Sequence, residues 1–179
     1  MESAWLGTGP RVAQFERDFA TYQGLPPSQV AAVNSCTAAL HVSMVAADLE
    51  PGAEVITTPM TFCASVNAII HAGLSPVLAD VDPATQCIDP AAIEAAITPR
   101  TRAILPVHFA GRPCEMDAIM AIARKHALRV QQQADDAWCG AIPHPVIVFR
   151  RCTSPPASFD RRRTSMSSTT ASLGFRHTK

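Results

Sequence analysis

Short apolar runs alternating with stretches of helical periodicity constrain this chain more than any other feature. The runs are Gln29 to Val33, Glu54 to Thr57, Pro76 to Asp80, Arg102 to Val107 and Leu128 to Gln131, and nearly all are uniformly apolar. A strand with one solvated face alternates polar and apolar residues, whereas a uniformly apolar strand is covered on both faces, as parallel strands between helices are. Helical patterns fill the intervals at Thr37 to Leu49, Phe62 to Ala72, Pro90 to Ile97 and Glu115 to Ala127. Val12, Phe15, Phe19 and Tyr22 recur at helical spacing and make the first helix amphipathic. Pro90 behind Asp89 reads as a first-turn proline behind its N-cap, and Pro113-Cys114-Glu115 leads into a helix in the same way. From Trp5 to Val130 the pattern therefore predicts a three-layer α/β domain with a mostly parallel sheet.

Composition agrees with one globular unit. With 179 residues, 47% hydrophobic and 17% charged, the chain is long enough to bury a core and too apolar for disorder. A formal net charge of zero supplies no general attraction to nucleic acid or to an anionic membrane, so neither is expected as a partner. The apolar runs fall well short of the twenty or so residues that span a bilayer, and Met1-Glu2-Ser3 does not open a secretion signal, so a cytoplasmic protein is expected. Six scattered cysteines (Cys36, Cys63, Cys87, Cys114, Cys139, Cys152) suit neither a zinc site nor a disulfide framework and read as reduced, mostly buried thiols.

The grammar changes near position 131, which divides the chain into an ordered part, 1–131, and a tail, 132–179. Gln131-Gln132-Gln133, the following prolines, Arg161-Arg162-Arg163 and the Ser/Thr run from Thr164 to Ser172 predict irregular, poorly ordered chain, with Val146 to Phe149 as a lone strand-like stretch. Three arginines without interleaved aromatics read as a solvated tail rather than a nucleic-acid contact.

One segment carries chemistry by itself. Asn34-Ser35-Cys36-Thr37-Ala38-Ala39-Leu40-His41 follows an apolar run and opens a helix. A helix start gathers unpaired N–H groups and the positive end of the peptide dipoles, and the small residues Ser35, Cys36 and Thr37 let a phosphate approach. Ser and Thr here also serve as plain caps. No G-x-G-x-x-G follows the first run, so a dinucleotide site lacks its fingerprint.

Six ordered motifs give this anion site a context: Trp5-Leu6-Gly7-Thr8-Gly9-Pro10, Val33 to His41, Glu54 to Phe62, Val77 to Asp82, Ile97 to Ile104 and Pro106 to Gly111. Together, over Trp5 to about Val130, they resemble the DegT/StrS family of pyridoxal-phosphate-dependent sugar aminotransferases. The resemblance implies a fold type I aminotransferase large domain, incomplete in this chain, and a homodimer with pyridoxal phosphate as cofactor. It also implies that Ser35, Cys36 and Thr37 hold the cofactor phosphate, that Phe62 stacks on its ring, and that Thr8 lies in a substrate-side loop. Without the family, Phe62 at a helix start would read as a core residue.

Pyridoxal chemistry further needs a lysine amine and an acid near the ring nitrogen. The resemblance implies Lys179 for the first, from the register of Phe175, Thr178 and Lys179. For the second, Gly140-Ala141 matches the end of the family's acidic segment, and a small shift brings Asp135 into place, with Asp136 beside it. Gly174 stands where the family has a phosphate-binding serine. The implied reaction transfers an amino group from a donor such as glutamate to a keto group of a nucleotide-linked sugar, for amino-sugar or polysaccharide biosynthesis. Because the family's large domain continues beyond the matching segment, the chain is expected to be a truncated enzyme of marginal stability. A non-catalytic remnant is the alternative from another class, and a pyridoxal-dependent sugar dehydratase, which uses His in place of Lys, is the alternative within the family; His177 lies near.

Overall fold

A computed structural model of the protein describes residues 9–134. In chain order these form α1 (Pro10–Gln23), α2 (Cys36–Ala46), β1 (Glu54–Thr57), α3 (Ala64–His71), β2 (Ser75–Leu78), α4 (Pro90–Ala96), β3 (Thr101–Leu105), β4 (Val107–His108), α5 (Met116–Lys125), β5 (Arg129–Val130) and β6 (Gln133–Ala134). Single 3-10 turns lie at Pro27–Gln29 and Phe109–Gly111. The caps follow the sequence signals. The Asp89 side chain accepts from the Ala91 amide at 2.8 Å with Pro90 in the first turn of α4, and Gly24, at φ 66°, adopts the left-handed conformation that ends α1.

Four strands pair in the order β2-β1-β3-β5, all parallel. Side chains alternate across the sheet and build a core on each face. Val55, Ala103 and Leu105 pack with Leu40 and Met44 of α2 and Ala64, Ala68 and Ile69 of α3. Ile56, Ile104 and Val130 pack with Ile93 of α4 and Ile119 and Ala123 of α5. Two apolar faces per strand are what the uniformly apolar runs required. The result is the expected α/β sandwich of helices, parallel sheet and helices.

One expected strand is missing from this sheet. Gln29 to Val33 begins inside the 3-10 turn that Pro26 caps and Pro27 opens, and no strand of the described residues pairs with it. Its Ala32 amide donates instead to the Glu16 carboxylate at 2.9 Å, which ties the segment to α1. A second difference lies at the other end, where order continues past Gln131. Pro106 has no N–H to give, yet the ladder runs on across it. The Gln131 amide donates to the Ile104 carbonyl and the Gln133 amide to the Pro106 carbonyl, each at 3.0 Å, before β4 and β6 pair in parallel. Glutamines carry no apolar signature, so this extension of the sheet was invisible to a hydropathy reading.

The opposite end of the sheet is secured by Glu54, 4% exposed at the start of β1. Its carboxylate accepts from the Thr98 hydroxyl, Arg100 and Thr101, joining β1 to the turn before β3. The Thr98 hydrogen bond, opposed by burial and helped by Arg100, holds Glu54 below the usual carboxylate range.

Candidate functional site

The strand order defines where a ligand crevice opens. From β1 the chain moves outward to β2 through α3, on the α2 side of the sheet, then crosses back to β3 through α4, on the opposite side. Neighbouring strands β1 and β3 thus send their connections to opposite faces, and in open α/β sheets ligands bind beyond the carboxyl ends of the strands at such a point. The Thr57 hydroxyl donates to the Leu105 carbonyl at 2.9 Å across this junction, and the Thr58 hydroxyl accepts from the Met60 amide at 3.0 Å as the chain turns toward Phe62.

Helix α2 aims its N-terminus at the same edge. The Arg129 guanidinium bonds the Ala47 carbonyl, and the Gln131 carboxamide donates to the Ser43 carbonyl at 2.8 Å. Two residues of strand advance about 6.6 Å and four of helix about 6 Å, so strand and helix run in opposite directions and keep step. One further step sets Gln133 level with the first turn of α2. Ser35 caps that turn, its hydroxyl accepting from the Ala38 amide at 3.1 Å. Thr37 is exposed, while Cys36 is half-buried and packs against the core, so the contribution of Cys36 to an anion falls to its main chain.

Helix α3 begins at this edge too. Ser65, in its first turn, is fully buried and donates to the Gln133 side-chain oxygen at 2.7 Å. The Thr61 and Ser65 hydroxyls lie 2.8 Å apart. Between these two residues Phe62 turns outward and is 68% exposed, unlike a core phenylalanine. The crevice therefore gathers the start of α2, the start of α3, an open aromatic face and one buried carboxamide. Of the residues singled out in the sequence, Ser35, Cys36 and Thr37 open α2 and Phe62 precedes α3. Thr8, Asp135 and Lys179 lie outside the described residues, as do Val146 to Phe149 and the tail from 135 onward.

Two participants escaped the sequence reading. Gln133 looked like the beginning of irregular chain, and its role shows only in the contact with Ser65. His108, at the end of β4, stood inside a recognised motif without a role. Its Nδ1 accepts from the Cys114 amide at 3.1 Å, which leaves the proton on Nε2, 3.2 Å from the Gln132 side-chain oxygen. Burial holds this histidine below its ordinary value of 6.5, only partly countered by Gln132, so the neutral ring is the form that fits. The buried thiol of Cys114 does not compete for a reactive role. Burial, with Cys87 alongside, pushes Cys114 up to about 12, far from the thiolate a nucleophile requires.

Known proteins share this architecture. The chain is 52% identical over 137 residues to the spore coat polysaccharide biosynthesis protein SpsC of Bacillus subtilis (strain 168), covering 76% of this chain and 35% of SpsC. Among solved structures it is similar to ntda from Bacillus subtilis with bound cofactor PMP, at 41% identity and TM-score 0.67, over 70% of this chain and 28% of that one. It is also similar to DesI in the presence of its TDP-sugar product, at 41% identity and TM-score 0.68, over 74% and 33% respectively. The chain thus spans about a third of the length of these relatives. No helix of the described residues is long and apolar enough to cross a membrane. The aminotransferase family model matches residues 1–142, most of the chain and all of the crevice, and with that match the protein belongs to the DegT/DnrJ/EryC1/StrS aminotransferase family.

Proposed function

We propose that this chain carries the cofactor-binding part of a pyridoxal-phosphate-dependent enzyme that transfers an amino group to a keto group of a nucleotide-linked sugar. The observation that carries the reading is the convergence of two helix starts and the exposed Phe62 ring on the strand-end crevice, among relatives that bind PMP and a TDP-sugar. The fit to the cofactor is physical. Main-chain donors at Ser35 to Thr37, with the Thr37 hydroxyl, suit a dianionic phosphate, and the aligned peptides of α2 favour its charge. Phe62 offers a flat apolar face that excludes water from one side of a ring. When bound, pyridoxal phosphate supplies an electron sink for the carbon that gains or loses the amino group.

The remaining roles fall to residues of the flanks. Lys179 is the amine that would hold the cofactor and, when free, would carry the proton at its Nζ. The chain has two lysines, and the other is engaged elsewhere. Lys125 ends α5, at the edge of the sheet away from the crevice, and bonds Glu94 at 2.5 Å. Thr8 is the proposed contact to the sugar, and Asp135 is the acid nearest the end of β6 in sequence. Glutamate is the proposed donor, a homodimer the proposed assembly, and amino-sugar or polysaccharide biosynthesis the setting.

The test is a titration of pyridoxal phosphate into wild type and Ser35→Asp, followed by absorbance, with inorganic phosphate as competitor. Aspartate caps a helix as well as serine does, so the fold is retained while a negative charge occupies the anion site. The variant is expected to bind at least about tenfold more weakly, or about 1.4 kcal/mol. Equal binding by the two proteins would remove the phosphate site from the start of α2.

A further inference from the structure

We propose that Gln133, a neutral carboxamide, is the side chain that meets the ring nitrogen of the cofactor, and that this chain therefore binds pyridoxal phosphate with that nitrogen unprotonated. The inference rests on the cofactor reading above and adds to it a departure from the usual electronics. Pyridoxal enzymes that use the ring as a full electron sink set an acid against the nitrogen to keep a proton there. Gln133 has no ionisable group and can hold no such proton.

Three observations put Gln133 in that place. Gln133 is 2% exposed and opens β6, at the edge where α2 and α3 begin. It is fixed rather than free, because the Ser65 hydroxyl donates to Oε1 at 2.7 Å and Ser65 is in turn 2.8 Å from the Thr61 hydroxyl. With Oε1 engaged by Ser65, the other polar atom of the carboxamide is Nε2, a donor. A donor matches the lone pair of an unprotonated ring nitrogen and repels the N–H of a protonated one. Ser35 to Thr37 at the start of α2 would hold the phosphate and Phe62 before α3 would cover the ring, and Gln133 is a buried carboxamide bonded to the first turn of α3.

The neighbouring glutamines show that this position is built. Gln131 is bonded to Ser43 of α2, Gln132 to His108, and Gln133 to Ser65 of α3, so successive side chains leading into β6 are each tied to a different element. Asp135 is the rival acid. It stands two residues after Gln133 in the sequence.

The experiment uses pyridoxal phosphate labelled with nitrogen-15 in the ring, bound to the full chain as wild type, Gln133→Asp and Asp135→Asn, and reads the ring-nitrogen resonance near neutral pH. Wild type and Asp135→Asn are expected to show the downfield resonance of an unprotonated pyridine. In Gln133→Asp the resonance is expected to move far upfield as the new carboxylate draws a proton onto the ring. An upfield resonance in wild type would overturn the inference, and if it moved downfield in Asp135→Asn the partner would be Asp135. A wild-type resonance that stays put in Gln133→Asp would also overturn it. A label that remains free with all three proteins would overturn the cofactor reading itself, a result distinct from a bound but protonated ring.

Discussion

At the scale of single residues the site is made of groups whose partners determine what they can do. Ser35 would pass for an ordinary cap, since its hydroxyl does what any N-cap does. The step from Arg129 to Gln131 along α2 is what aims that cap at the crevice. Phe62 was legible only through the family resemblance, because a phenylalanine at a helix start is a core residue by default. Gln133 was not legible at all, since hydropathy marks it as chain leaving the core and only the long-range contact with Ser65 shows it entering one. His108 gives a residue-scale prediction with a definite sign. The unfolded chain takes up a proton near the ordinary value of 6.5, the folded chain only at lower pH, so the contribution to stability is whole above 6.5 and shrinks as pH falls below it. Urea unfolding at about pH 7.5 and about pH 5.5 should show a larger loss for wild type than for His108→Asn, whose side-chain oxygen still accepts from the Cys114 amide. An equal loss in both would mean that His108 is not the group that titrates.

The elements follow from periodicity wherever a strand is apolar on both faces. β1 and β3 were read directly because their apolar residues find helices on both faces, Val55, Ala103 and Leu105 on one and Ile56 and Ile104 on the other. Two segments broke the rule for opposite reasons. Gln29 to Val33 looks like a strand in composition, yet two prolines and the tie from Ala32 to Glu16 hold it beside α1. β6 looks like a loop but is a strand, because backbone hydrogen bonds across Pro106 and polar side-chain contacts of Gln133 and of the two glutamines before it replace apolar burial. The centre of the sheet should accordingly be its least tolerant part. Ile104 of β3 is fully buried between β1 and β5 and packs toward α4 and α5. Ile104→Ala is expected to destabilise the protein by about 2 to 5 kcal/mol, read as a lower denaturant midpoint with an unchanged slope. A cost below about 1 kcal/mol would show that this face of the sheet is not closely packed.

Across the whole molecule the parallel order and the reversal between β1 and β3 turn a set of motifs into a place. Spacing along the chain showed that helices and strands alternate, but not that two helix starts and an aromatic ring meet at one edge, because that depends on which face each crossover takes. The chain spans about a third of its relatives, and the amine assigned to hold the cofactor belongs to the segment outside the described residues. Pyridoxal phosphate should therefore be added to the purified protein, the mixture reduced with borohydride, and the modified peptide located by mass spectrometry in wild type and Lys179→Ala. A reduced adduct on Lys179, lost in the variant with none appearing on Lys125, is the expected result. An unmodified Lys179, or an adduct that persists unchanged in Lys179→Ala, would contradict a cofactor site assembled at this crevice.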